Sequence, residues 1–204
     1  MDDLHKALGD ISSIRLQVAR STEFRGYGPA TLAATGLFAL VAAGVQALWV
    51  RLPARHITEY LALWIATATV SATLTGVHMY TRSRRIHSWM SDAMIEMAVE
   101  QFMPAVGAGL LVTLVLLRAV PGSAWMIPGL WQVIFSLGIF SSCRFLPRPI
   151  LVAAAWYLLT GLCCLGLGGV RALSPWAMAI PFGAGQFLVA GILFFSAKES
   201  GDEA

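Results

Sequence analysis

Charged residues make up only 12% of this 204-residue chain, about half of the roughly 25% that a soluble domain carries. So few charges cannot cover a water-facing surface, which excludes an ordinary soluble globule. Cysteine is equally scarce. Cys143, Cys163 and Cys164 form a vicinal pair with one distant residue, which is neither zinc-ligand spacing nor a secreted disulfide framework. All three fall in apolar stretches and read as small hydrophobes. Catalytic signatures are absent too: there is no H-E-x-x-H helix, no glycine-rich phosphate loop and no G-x-S-x-G elbow. His5, His56, His78 and His87 are too scattered to hold a haem between two helices. The chain therefore reads as no enzyme, with no metal and no cofactor. Its fourteen basic residues come in ones to threes between apolar runs, so no basic, aromatic-studded surface for nucleic acid exists.

What the chain does have is hydrophobic length. Apolar residues make up 57% of it and the mean hydropathy is +0.71. Six uncharged or nearly uncharged stretches can be drawn, at about Ala30–Val50, Ile57–Tyr80, Phe102–Val120, Trp125–Ser142, Ile150–Gly168 and Pro175–Phe195. Each approaches the roughly 20 residues that a helix needs to cross a hydrocarbon core, where a helix satisfies its own backbone hydrogen bonds. Short links with turn residues separate them: Leu52-Pro53, Pro121-Gly122, Pro147-Arg148-Pro149 and Ser174-Pro175. The expected fold is an all-α integral membrane protein, with six transmembrane helices in antiparallel hairpins spanning residues 29–198.

Residues 1–28 precede the first span. Leu4, Ala7, Leu8, Ile11, Ile14 and Val18 share one helical face, which predicts an amphipathic helix in the membrane interface, with Arg15, Arg20 and Arg25 near anionic head groups. A docking helix for a protein partner is the alternative. The Gly26-Tyr27-Gly28-Pro29 turn then redirects the chain into the bilayer. Residues 199–204 form a short acidic tail. With the N-terminus inside, Lys6, Arg15, Arg20, Arg25, Arg82, Arg84, Arg85, Arg144, Arg148 and Lys198 are cytoplasmic, against Arg51, Arg55, Arg118 and Arg171 outside. Ten against four places both termini in the cytoplasm, in a plasma membrane of the bacterial inner-membrane type.

Three sets of polar residues interrupt the apolar pattern. On the second span, Tyr60, Trp64, Thr67, Ser71, Thr75, His78 and Arg82 follow at steps of three or four and share one stripe. Hydroxyls there avoid lipid by bonding to a backbone carbonyl or a neighbouring helix. Thr67, Ser71, Thr75 and His78 therefore either line a polar pathway or ligand face, with His78 exchanging protons, or simply pack. On the third span Asp92, Glu96 and Glu100 lie at successive steps of four. They read either as carboxylates at a cytoplasmic mouth, with Glu59 at the other face, or as partners of Arg82, Arg84, Arg85 and His87. Gln46, Gln132 and Gln186 are mid-span amides that should face inward and bond between helices.

A weak echo joins Trp125-Met126-Ile127-Pro128 with Gln132 to Trp176 through Pro181 with Gln186. It suggests either a duplicated parallel hairpin or convergence on common span composition. Pro128 and Pro181 are both expected near the start of their helices. Two functions remain open. One is translocation of a small solute, ion or proton, or ligand sensing, along the second-span stripe. The other is a non-catalytic accessory or scaffold subunit, docking a membrane partner or a second copy through the N-terminal helix and cytoplasmic loops.

Overall fold

The computed structural model describes residues 28–86, 89–142 and 149–202. It is 91% helical, and its described residues contain six helices long and apolar enough to cross a membrane. They are α1 (Pro29–Trp49), α2 (Ile57–Ile86), α3 (Trp89–Ala119), α4 (Ile127–Ser142), α5 (Ile150–Leu167) and α6 (Pro175–Asp202). A 3-10 helix, Pro121–Met126, leads into α4, and a single helical turn, Gly169–Ala172, separates α5 from α6. The interfacial helix expected over residues 1–27 and its arginines, Arg15, Arg20 and Arg25, lie outside the described residues.

The ends of these helices follow from local chemistry. Pro29 opens α1, where its missing N–H would have had no partner anyway, and the Gly28 carbonyl accepts from the amides of Thr31 and Leu32 at 3.0 and 3.3 Å. Gly168 and Gly169 have φ of 65° and 51°, the left-handed region that glycine enters without a Cβ penalty. They end α5 and start the Gly169–Ala172 turn. Ser174 then starts α6, its carbonyl and hydroxyl lying 3.1 and 3.3 Å from the Ala177 amide. Pro128 is the second residue of α4, but Pro181 is well inside α6 and Pro104 inside α3. α6 begins at Pro175, the expected start of that span, and Pro181 lies more than a full turn inside it.

Lipid offers no hydrophobic force between helices, so association rests on close packing and interhelical hydrogen bonds. The most extensive contacts join α1 to α6 and α4 to α5. Each pair crosses through facing glycines. A Cβ added to Gly36 would lie 3.1 Å from the Gly183 carbonyl oxygen, and one added to Gly129 would lie 2.9 Å from that of Gly161. Contacts of α3 with α4, α1 with α2, and α5 with α6 complete the order α2, α1, α6, α5, α4, α3, while among the described residues α2 and α3 barely touch. The larger cluster of buried apolar residues contains Ala43, Tyr60, Trp64, Ile127, Leu173 and Met178. A smaller one holds Leu32, Ile150, Ala190 and Leu193.

Burial is uneven along this order. Within their most apolar windows only 17% of α2 and 6% of α3 is buried, against 33% to 39% of the other four helices. The outward residues, Leu37, Val41, Leu111, Val115 and Leu159 among them, are apolar, as contact with lipid tails requires.

Candidate functional site

The polar groups inside the structure meet on backbone carbonyls. Gln46, 1% exposed on α1, donates Nε2 to the Leu173 carbonyl at 2.8 Å and accepts the Trp64 indole N–H on Oε1 at 2.8 Å. One amide thus ties α1 to α2 and to the link between the Gly169–Ala172 turn and α6. Gln132 on α4, fully buried, donates Nε2 to the Ala177 carbonyl at 2.9 Å, with Met178 Sδ 3.9 Å away. Gln186 is partly buried, and its Cβ lies 3.2 Å from where a Cβ on Gly36 would stand.

Further donors extend this pattern. Trp156 on α5 donates its indole N–H to the Pro181 carbonyl at 3.0 Å, and Cys164 Sγ lies 3.7 Å from the Ala172 carbonyl. Ser136 on α4 donates to the Ala154 carbonyl on α5 at 2.8 Å. Trp131 on α4 donates to Thr113 Oγ1 on α3 at 2.8 Å, and Thr113 passes its own proton to the Gly109 carbonyl at 2.7 Å. Around them Tyr157 packs edge-on to Phe135, with Phe182 5.3 Å away, centroid to centroid. Sequence reasoning singled out Gln46 and Gln132 but missed Trp64, Thr113, Trp131, Ser136 and Trp156 as donors. The available signal was that a buried indole N–H needs an acceptor, which marks a tryptophan in mid-span as an interhelical contact.

The α2 stripe divides in two. Tyr60 and Trp64 are buried in the main cluster, whereas Thr67, Ser71, Thr75 and His78 are half-buried. Thr67 donates to the Leu63 carbonyl and Thr75 to the Ser71 carbonyl, both at 2.8 Å, so both hydroxyls are satisfied within their own helix. Thr67 lines an open groove of about 260 Å3 between α1 and α2, whose other lining residues, such as Phe38, Val45 and Leu63, are apolar. The His78 imidazole packs on Gly28 so closely that a Cβ there would stand 2.6 Å from Cε1.

The acidic stripe of α3 is not brought against α2 where it is described. Glu100 is exposed, and the side chains of Asp92 and Glu96 lie outside the described residues. His56 Nδ1 lies 3.1 Å from Glu59 Oε1, a hydrogen-bonding contact exposed at the start of α2. No group of three His, Cys, Asp or Glu side chains able to hold a metal occurs among the described residues. The assembled network is made of amides, indoles, hydroxyls and a thiol on carbonyls, an arrangement that fixes helices against one another. No protein-family model, curated protein or solved structure matches this chain.

Proposed function

We propose that the protein is a non-catalytic accessory or scaffold subunit of a membrane, which receives a partner's transmembrane helix against α2 and α3. The observation that carries this is the uneven burial: α2 and α3 end the packing order, barely touch each other and bury 17% and 6% of their apolar windows. The exposed side of α2 carries Ala62, Ala66, Thr69, Thr73 and Gly76 at steps of three and four, small residues that let another helix approach closely. Thr67, Thr69, Thr73 and Thr75 all donate to carbonyls of their own helix, so their hydroxyl protons are already used within α2 and only their lone pairs face outward. On this proposal the spans run as antiparallel hairpins in a bacterial inner membrane with both termini cytoplasmic, and the N-terminal helix with Arg15, Arg20 and Arg25 adds a contact at the surface.

Site-specific photo-crosslinking in native membranes tests it. A benzophenone side chain at Thr73 on α2 or Leu111 on α3 should give a discrete protein adduct, and one at Leu159 on α5 should give only lipid. Introducing Ala66→Leu into the Thr73 probe should abolish that adduct. Lipid adducts alone at all three positions would overturn the proposal.

A further inference from the structure

Residues Gly169–Ile180 are bracketed by two breaks in the helical hydrogen bonding. At the upstream end, Gly168 and Gly169 adopt φ of 65° and 51°. At the downstream end, Pro181 lies inside α6, which stays helical from Pro175 to Asp202, and breaks only its hydrogen-bond ladder. A proline inside a helix has no N–H for the carbonyl four residues back, and its ring pushes that carbonyl aside. The carbonyl that Pro181 deprives is that of Ala177.

Ala177 is the residue whose carbonyl receives the Gln132 amide at 2.9 Å. The neighbouring acceptors follow suit. Cys164 Sγ faces the Ala172 carbonyl, Gln46 Nε2 donates to the Leu173 carbonyl at 2.8 Å, and Trp156 Nε1 donates to the Pro181 carbonyl at 3.0 Å. Side chains from α1, α4 and α5 thus converge on the backbone of one short stretch, at and between its two breaks. Where a carbonyl lacks its helical donor away from water, a side chain must replace it or the group stays unpaired at a cost.

We propose that Gly169–Ile180 is a jointed segment, hinged at Gly168-Gly169 and at Pro181, and that its downstream joint is latched shut by Gln132, which supplies the Ala177 carbonyl with the donor that Pro181 lacks, and by Trp156, which adds a bond from α5 to the Pro181 carbonyl. Because Gln132 and Trp156 sit on the α4–α5 pair while Pro181 belongs to the α1–α6 pair, the latch also joins the two glycine-crossed halves. Opening would lift Met178 and Ala179, buried at 3% and 0% exposure, out of the main cluster while leaving the Gly36/Gly183 crossing in place.

Hydrogen exchange of the full chain in nanodiscs, read over Trp176–Ile180, tests this. Gln132→Leu should speed exchange there by roughly three- to tenfold, the range expected from losing one interhelical bond in a membrane. In a Pro181→Ala background the restored amide serves the Ala177 carbonyl, and the effect of Gln132→Leu should fall to within about twofold. Trp156→Phe keeps the ring and deletes only the donor, so it should also speed exchange over these residues even if Gln132→Leu folds poorly. Ser136→Ala, which breaks a bond between α4 and α5, should leave them unchanged. Exchange unaltered by Trp156→Phe, an equal Gln132→Leu effect with and without Pro181, or an equal response to Ser136→Ala would each overturn the latch.

Discussion

The indole N–H of Trp64 reaches the Gln46 side-chain oxygen at 2.8 Å, and so closes a bridge whose other arm is the Leu173 carbonyl. Because α2 is attached mainly through α1, this buried pair is a polar tie that holds α2 to the remaining helices. Two groups depend on Gln46, an indole donor and a backbone acceptor, and both are strongly desolvated.

Replacing Gln46 with Leu should therefore cost more than replacing Trp64 with Phe. Gln46→Leu orphans both a donor and an acceptor, at about 1–3 kcal/mol each by the general cost of a buried unpaired group, an upper range since membrane bonds average about 0.6 kcal/mol. Trp64→Phe orphans only one amide oxygen. Thermal unfolding in detergent should rank the variants in that order, and the double variant should lose less than the sum of the singles. Additive losses would mean that the two side chains do not act as a unit.

The threonines should separate into two classes. Thr67 and Thr75 donate to their own helix, so Thr67→Val and Thr75→Val remove a hydroxyl that no other helix uses. Their effect on the unfolding midpoint should be within about 0.5 kcal/mol, as for substitutions that disturb no buried contact. Thr113 instead accepts from Trp131 across α3 and α4. Thr113→Val leaves the Trp131 N–H unpaired and should cost about 0.6–2 kcal/mol. Equal losses at all three positions would count against this division.

The glycines divide likewise. A Cβ on Gly161 would stand 2.9 Å from the Gly129 carbonyl oxygen and 3.0 Å from Gln132 Cβ, so Gly161→Ala must push α4 and α5 apart. Overpacking of that kind costs about 1–3 kcal/mol. Gly44 and Gly76 have no neighbour within 4 Å of an added Cβ, and alanine there should be neutral or stabilising by up to about 1 kcal/mol, since it lowers the entropy lost on helix formation. Midpoints measured side by side decide it, and a Gly161→Ala midpoint at or above the parent value would sink the close-crossing account.

The six helices were legible because lipid leaves one solution for the backbone, so runs such as Ile150–Gly168 announce themselves by length and lack of charge. The helix beyond Phe195, the 3-10 helix at Pro121 and the turn at Gly169 were not, because the same Pro and Gly residues that mark a link also permit a compact helical turn. Neighbour order was illegible for a deeper reason. Inward and lipid-facing surfaces are both apolar, so periodicity did not reveal that α1 pairs with α6 or that α2 and α3 part. Of the polar residues, Gln46 and Gln132 stood out because an amide in mid-span needs a partner, whereas Trp131 and Trp156 passed as ordinary apolar bulk and Trp64, though on the second-span stripe, was not read as a donor. Glu100 is exposed on the least buried helix, while the side chains of Asp92 and Glu96, with which its spacing groups it, lie outside the described residues.

That helix, α3, offers the sharpest remaining test. Only 6% of its window is buried, and its attachment is mainly to α4, through, among other contacts, the Trp131–Thr113 bond and the seat of Phe102 on Gly138, where an added Cβ would stand 2.5 Å from the ring. Gly138→Ala should displace Phe102 and loosen α3 while α1 and α6 stay packed. A cysteine pair placed across α3 and α4 should lose crosslinking efficiency in that variant, and one across α1 and α6 should not. Phe102→Leu, which trades the rigid ring for a smaller and more adaptable side chain, should restore much of the α3–α4 crosslink in the Gly138→Ala background, because the clash rather than the lost glycine is the cause. Crosslinking lost at both pairs, or no rescue by Phe102→Leu, would show that Gly138 matters to the whole structure instead of to the seating of one helix.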